Sequence, residues 1–193
     1  EISDYLGSEI EYAYKYDKDY NEGCIFFAKL KDEESVLKIT SEQFKSFDED
    51  ANSFIFYKDA NSSKTEKESV EKDVQIIYNG VPYEGSVTKA VEGFKDGARR
   101  GYIKLSDSDS DGSFDVVSVK SYEIMPSGTI DVQNENIYGG FEKKTIHYGD
   151  FDLVKYLGSD GEEKELVNVS DAVLCVAESE NKEILEIIIS TQT

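Results

Sequence analysis

The chain has 193 residues and a formal net charge of −20, from 41 acidic against 21 basic side chains. A field of that sign repels nucleic acid and anionic lipid and attracts cations and basic partners, so no nucleic-acid binding is expected. There is no apolar run long enough to span a bilayer as a helix and no signal peptide, so no membrane insertion is expected either.

The elements are read from apolar periodicity and turn residues. Asp4–Gly7 is a turn, and Ile10–Tyr16 alternates strictly, with Tyr12, Tyr14 and Tyr16 on one face. After a polar loop, Cys24–Leu30 returns as a strand and Val36–Ile39 is a third. Ser41–Phe47 reads as a short helical turn capped by Thr40 or Ser41, and Phe54–Tyr57 as a fourth strand. Asp59–Lys72 is charged and aperiodic, which predicts a long loop or hairpin tip. Val74–Tyr78 is a strand closing on Asn79-Gly80, a strong hairpin pair, with Val81–Tyr83 as a short edge piece. Ser86 opens the one full helix, because Val87, Ala90, Val91 and Phe94 fall on one helical face before Gly97.

Arg99 and Arg100, the only arginines, precede the strand 101–106, where pairing with nearby carboxylates is their expected role. Phe114–Val119 and Lys120–Met125 are strand up to a turn at Pro126–Gly128. Thr129–Val132 and Lys144–Tyr148 are further strands around a loop at 136–140. Phe151–Leu157 and Lys164–Val169 form a hairpin about a turn at 159–161, and Ala172–Ala177 with Glu183–Ile189 form the last pair. Many short strands with polar turns indicate an all-β fold with minor α content. The expectation is two small antiparallel β-barrel or sandwich units with one short helix: residues 1–80, and residues 81–193 carrying the acidic loop described next. Cys24 and Cys175 each lie in an apolar strand and read as buried thiols rather than as a long-range disulfide.

The most specific chemical signal is Asp107-Ser-Asp109-Ser-Asp111-Gly112-Ser113-Phe114-Asp115. A hard divalent cation takes six to eight oxygens, and carboxylates at alternate positions of a tight loop can point inward together. Asp107, Asp109, Asp111, Ser113 and Asp115 stand at positions 1, 3, 5, 7 and 9 of a calcium loop, with Gly112 at the sharp turn of position 6. Position 12, normally a bidentate Glu, is Ser118. The segment resembles the DxDxDG calcium loops of EF-hands and dockerins, mounted here between strands. Without the last ligand, calcium should bind at roughly 0.1–1 mM, the range of extracellular modules. The alternative is a solvated acidic turn, since Asp, Ser and Gly favour turns whatever their partners.

Tyr5-Leu-Gly with Ile10-Glu-Tyr-Ala-Tyr14, then Val74–Gly80, then Val116–Tyr122 after the acidic loop, and the closing Ile187–Ser190, resemble a recurring β-rich module of Firmicutes cell-surface and secreted proteins. The resemblance implies an extracellular or cell-surface location and a structural or display role beside other domains of a longer parent chain. The start at Glu1 instead of Met is what a piece of a longer parent chain would show, and the missing signal peptide then says nothing of location. Similar acidic β-modules occur in phage tail and baseplate proteins.

Catalysis is not expected. His147 is the only histidine, and no nucleophile motif accompanies it. The alternative to a structural module is a domain that binds a protein or carbohydrate partner through exposed aromatic side chains.

Overall fold

The computed structural model describes residues 10–17, 22–30, 36–108, 111–138, 145–150, 154–158 and 162–191, and the Asp4–Gly7 turn lies outside them. The strands are β1 Ile10–Asp17, β2 Glu22–Leu30, β3 Val36–Thr40, β4 Phe44–Asp48, β5 Ser53–Tyr57, β6 Thr65–Tyr78, β7 Val81–Pro82 and β8 Arg99–Ser106. They continue as β9 Phe114–Asp131, β10 Asn136–Tyr138, β11 Thr145–His147, β12 Val154–Leu157, β13 Glu163–Lys164, β14 Val169–Glu178 and β15 Ile184–Thr191. One α-helix is described, α1 Val87–Lys95. The protein is thus all-β with minor α content.

The chain forms two compact units, Glu1–Val91 with Tyr102–Val119, and Glu92–Gly101 with Lys120–Thr193. β1 and β2 make an antiparallel pair of their own, with a register shift between Ala13 and Tyr14.

In the first unit β4, β5 and β6 are neighbours in an antiparallel meander. The first part of β9 pairs parallel with β6, from Gln75↔Val116 to Tyr78↔Val119. Ile39, Phe54, Ile103, Leu105 and Val117 are fully buried. Phe54 meets Phe47 at 4.8 Å and Phe44 at 6.4 Å between ring centroids, the tilted and edge-on geometry aromatic rings prefer. The Asn79-Gly80 turn is present, with φ of 51° and 89°, joining Tyr78 to Val81 in a two-residue hairpin. α1 follows Ser86, whose Oγ accepts from Lys89 N at 3.3 Å, and it buries Val87, Ala90, Val91 and Phe94.

In the second unit the strand order is β13-β12-β15-β14-β9, with β10 on β9 and β11 on β10. Its core is Ile130, Ile137, Ala172, Leu174, Val176, Ile187 and Ile189. Each of the large side chains there contributes about 1.5–3 kcal/mol through removal from water. β12 and β15 run parallel, from Val154↔Ile187 to Leu157↔Ser190.

Several expectations need correction. The units are not purely antiparallel, because the chain makes other elements between β6 and β9 and between β12 and β15, which allows a parallel return. No closed barrel forms among the described strands: β4 pairs only with β5, and β13, two residues long, only with β12.

Residues 41–43 are a turn running into β4 and not a helical turn. The Gln43 side chain accepts from Thr40 N at 3.0 Å and donates to Lys58 O at 3.1 Å, fixing an extended course. Thr65–Lys72 is strand and not loop, because its ladder with β5 needs backbone groups only, and its charged side chains stay in solvent while Val70 is buried. β9 continues through Pro126–Gly128, where the ladder with β14 absorbs the irregularity as register shifts. Asn136–Tyr138, expected within a loop, is β10.

Candidate functional site

The acidic loop joins β8 to β9, and its described carboxylates bind the turn that carries them. Asp107 accepts from two backbone N–H groups, Asp111 N to Oδ1 at 3.1 Å and Gly112 N to Oδ2 at 2.9 Å. Asp111 Oδ1 accepts from Ser113 N at 2.8 Å. Asp115 reaches back across the loop mouth, taking Ser108 N on Oδ1 at 2.7 Å and the Ser108 hydroxyl on Oδ2. Gly112 has φ of 94°, which favours glycine, and open space where a Cβ would stand, so backbone conformation and not crowding selects it.

Asp107 and Asp111 are thus engaged by the N–H groups of residues 111–113, while Asp115 ties Ser108, next to Asp107. Asp109 lies outside the described residues. Among the described residues no three Asp, Glu, His or Cys side chains are grouped to hold a metal ion. Ser118 lies within the β6–β9 ladder opposite Ile77, so position 12 of the resemblance falls in a strand and not in the loop. The oxygen-only donors suit a hard cation, and an ionised carboxylate has about four acceptor positions, so the turn's own hydrogen bonds leave acceptor capacity over.

Arg99 pairs with carboxylates as expected, although with Glu123 and Glu178 rather than with the loop. Its Nη2 lies 3.7 Å and 3.9 Å from their Oε2 atoms. Arg100 Nη1 donates to Gly97 O at 3.4 Å. Glu186, only 4 % exposed, accepts from Lys120 Nζ at 2.9 Å and from Tyr122 OH at 3.0 Å. That network bridges β9 and β15 across β14. His147 is half-exposed, with Nε2 3.9 Å from Glu135 Oε2. Tyr12 is 59 % exposed, while the side chains of Tyr14 and Tyr16 lie outside the described residues. Cys175 is a free thiol, and burial raises its pKa.

Sequence reading passed over a second polar cluster, on the outer face of β9 and β10. Thr129 lies opposite Tyr138, and Asp131 opposite Asn136, while Ile130 opposite Ile137 faces the core. Hydrogen bonds from the Asn134 side chain and from the backbone hold the Asp131 carboxyl below its usual pKa. The signal was the alternation in Thr129-Ile-Asp131 and Asn136-Ile-Tyr138, but the fourth member, Asn168, comes from a distant segment.

The chain matches no protein-family model, and no curated protein or solved structure is significantly similar to it.

Proposed function

We propose that this chain is a non-catalytic, structural or display β-module of a larger extracellular or cell-surface protein, and that its β8–β9 connection is a carboxylate-braced loop which calcium tightens. The observation that supports this reading is the engagement of Asp107, Asp111 and Asp115 with the N–H groups of their own loop. Those bonds put the carboxylates to work holding a connection between two strands. A cation of the hard class would add to that closure through the acceptor positions that Asp107 and Asp115 have left, with Asp109 as the further ligand. Calcium binding at roughly 0.1–1 mM in the test below would fit the range of extracellular modules.

The test is thermal unfolding of the protein in calcium and in chelator, beside Asp109→Ala. At a calcium concentration about tenfold above Kd, linkage predicts about 1.4 kcal/mol of stabilisation. For a chain of this length that is a midpoint rise of about 3–6 °C. Asp109→Ala should abolish the rise. An unchanged midpoint at millimolar calcium would reduce the loop to an acidic turn and remove the support for calcium.

A further inference from the structure

We infer that the open groove on the outer face of β9 and β10 is a binding site for a neutral carbohydrate. The groove has a volume of about 490 Å3 and is lined by Thr129, Ile130, Asp131, Tyr138, Asn168 and Val169. That size falls within the range of about 300–1,000 Å3 typical of small-ligand sites.

The chemistry of the lining selects the ligand class. A pyranose has one apolar C–H face and a rim of hydroxyls, each able to donate and to accept. Tyr138, 39 % exposed, supplies an aromatic ring whose π-face attracts polarised C–H groups. Asp131 supplies acceptors, and Asn168 supplies donors. Among the described residues no cation lines the groove, and the chain carries −20, so an anionic ligand would be repelled. A basic peptide would pair with Asp131, but its charged side chains bring donors only, so its backbone carbonyls alone would have to meet the donors of Asn168, Thr129 and Tyr138. Hydroxyls use both kinds of group.

The polar groups are also held in place by bonds that leave capacity for a ligand. Asp131 takes Asn134 N on Oδ1 at 3.2 Å, Asn134 Nδ2 on Oδ2 at 2.7 Å and the backbone of Gln133, which leaves part of a carboxylate's acceptor capacity for a ligand. Asn168 Oδ1 accepts from Val132 N at 2.8 Å, which orients the amide and leaves Nδ2 without a partner among the described residues. Tyr138 OH accepts from Asn136 Nδ2 at 3.1 Å and keeps its own proton to donate. Groups fixed in this way lose little freedom on binding, which is how a shallow site reaches useful affinity. Beneath them Ile130 and Ile137 are fully buried, so core packing holds the strands that carry the polar groups.

The experiment is a 1H–15N NMR titration of the protein with four neutral tetrasaccharides (of glucose in β-1,4 and α-1,4 linkage, of mannose, and of N-acetylglucosamine), beside tetragalacturonate and a lysine-rich peptide. The expected result is saturable shifts at Thr129, Asp131, Tyr138 and Asn168 with at least one neutral sugar, at a Kd of roughly 0.1–10 mM. Tyr138→Ala should weaken that binding about tenfold, the scale of one aromatic contact. Asp131→Asn, which keeps the shape, should weaken it severalfold. The inference fails if no neutral sugar gives saturable shifts at about 20 mM, a concentration above the whole expected Kd range. It fails equally if both variants bind like the parent, or if the peptide or the uronate is preferred. Calcium plays no part in this result, so it stands or falls apart from the proposal for the β8–β9 loop.

Discussion

Replacing Lys120 by Met should be among the most destabilising polar substitutions in the second unit. Tyr122, Ala177 and Glu186 stand abreast on β9, β14 and β15, and Lys120 reaches over β14 to the same carboxylate. The side chains of Lys120 and Glu186 are only 14 % and 5 % exposed. Taking the ammonium away leaves a carboxylate out of water with Tyr122 OH as its remaining side-chain donor. Breaking a buried pair from one side costs about 3–5 kcal/mol, and the surviving tyrosine bond argues for the lower end. At about 2–4 °C per kcal/mol, a loss of about 3 kcal/mol lowers the melting midpoint by about 6–12 °C. Tyr122→Phe removes one hydrogen bond to a charged acceptor, about 1.5–3 kcal/mol.

The double variant Lys120→Met/Glu186→Leu removes the stranded charge together with its cause, and should regain most of the loss. Thermal and urea unfolding at pH 7, followed by circular dichroism, measure all four proteins. A loss below about 1 kcal/mol for Lys120→Met, with no recovery in the double variant, would mean that water solvates Glu186 and that the argument from burial is wrong.

Two further outcomes follow from close packing and from burial. Gly101 has φ of 144°, and a Cβ there would overlap the carbonyl oxygen of Lys120, a backbone atom with no rotamer to escape into. Gly101→Ala should therefore cost more than about 4 kcal/mol, the range reserved for specific structural faults, and an unfolding midpoint near that of the parent would refute the close approach. Burial raises the pKa of Cys175, so a thiol reagent at pH 8 should label it far more slowly in the folded protein than in urea. The sign of the linked pH effect is fixed: the native state keeps a proton that the unfolded chain releases, so this contribution to stability falls as pH rises above the ordinary thiol value of 9.0. Tyr148, raised by burial and by the charges of Glu135 and Asp131, acts in the same direction at higher pH. Equal labelling rates in the two states would show that Cys175 is open to solvent.

What the sequence disclosed was whatever local chemistry decides. Asn79-Gly80 could only turn tightly, Ser86 and the apolar face ending at Phe94 could only be helix, and the Ala172–Ala177 and Glu183–Ile189 runs paired as alternation required. The failures lie where a partner strand overrides local preference. Thr65–Lys72 has few apolar residues to announce a strand, yet β5 pairs with it from Thr65 to Ser69. Pro126–Gly128 has turn composition, yet β14 and β10 hold the flanking residues of β9 in line. Parallel pairing of β6 with β9 leaves no mark in either segment, since it depends on what the chain does between them. At the acidic loop the oxygen donors were plain from spacing, but the backbone N–H groups that occupy them depend on the three-dimensional course of the turn. The groove was hidden for a related reason. Thr129, Asp131, Tyr138 and Asn168 are ordinary outward-facing residues one by one, and only the register of β9 on β10 and β14 collects them.

That register gives the second unit two faces with separable duties. Ile130, Ile137 and Ile146 pack toward the core, and the residues between them, Thr129, Asp131, Tyr138 and His147, meet solvent. A slip of one residue would exchange the two sets, so burial of the isoleucines fixes where the polar set stands. Stability and surface chemistry can therefore be altered independently. Tyr138→Ala changes the outer face while every core isoleucine stays in place, whereas a truncation at Ile137 loosens the platform under an unaltered outer face. A β-module that holds its polar side chains by such a register needs no mobile loop to keep a recognition surface in shape, and this is the property by which a structural domain could also serve as a binding one.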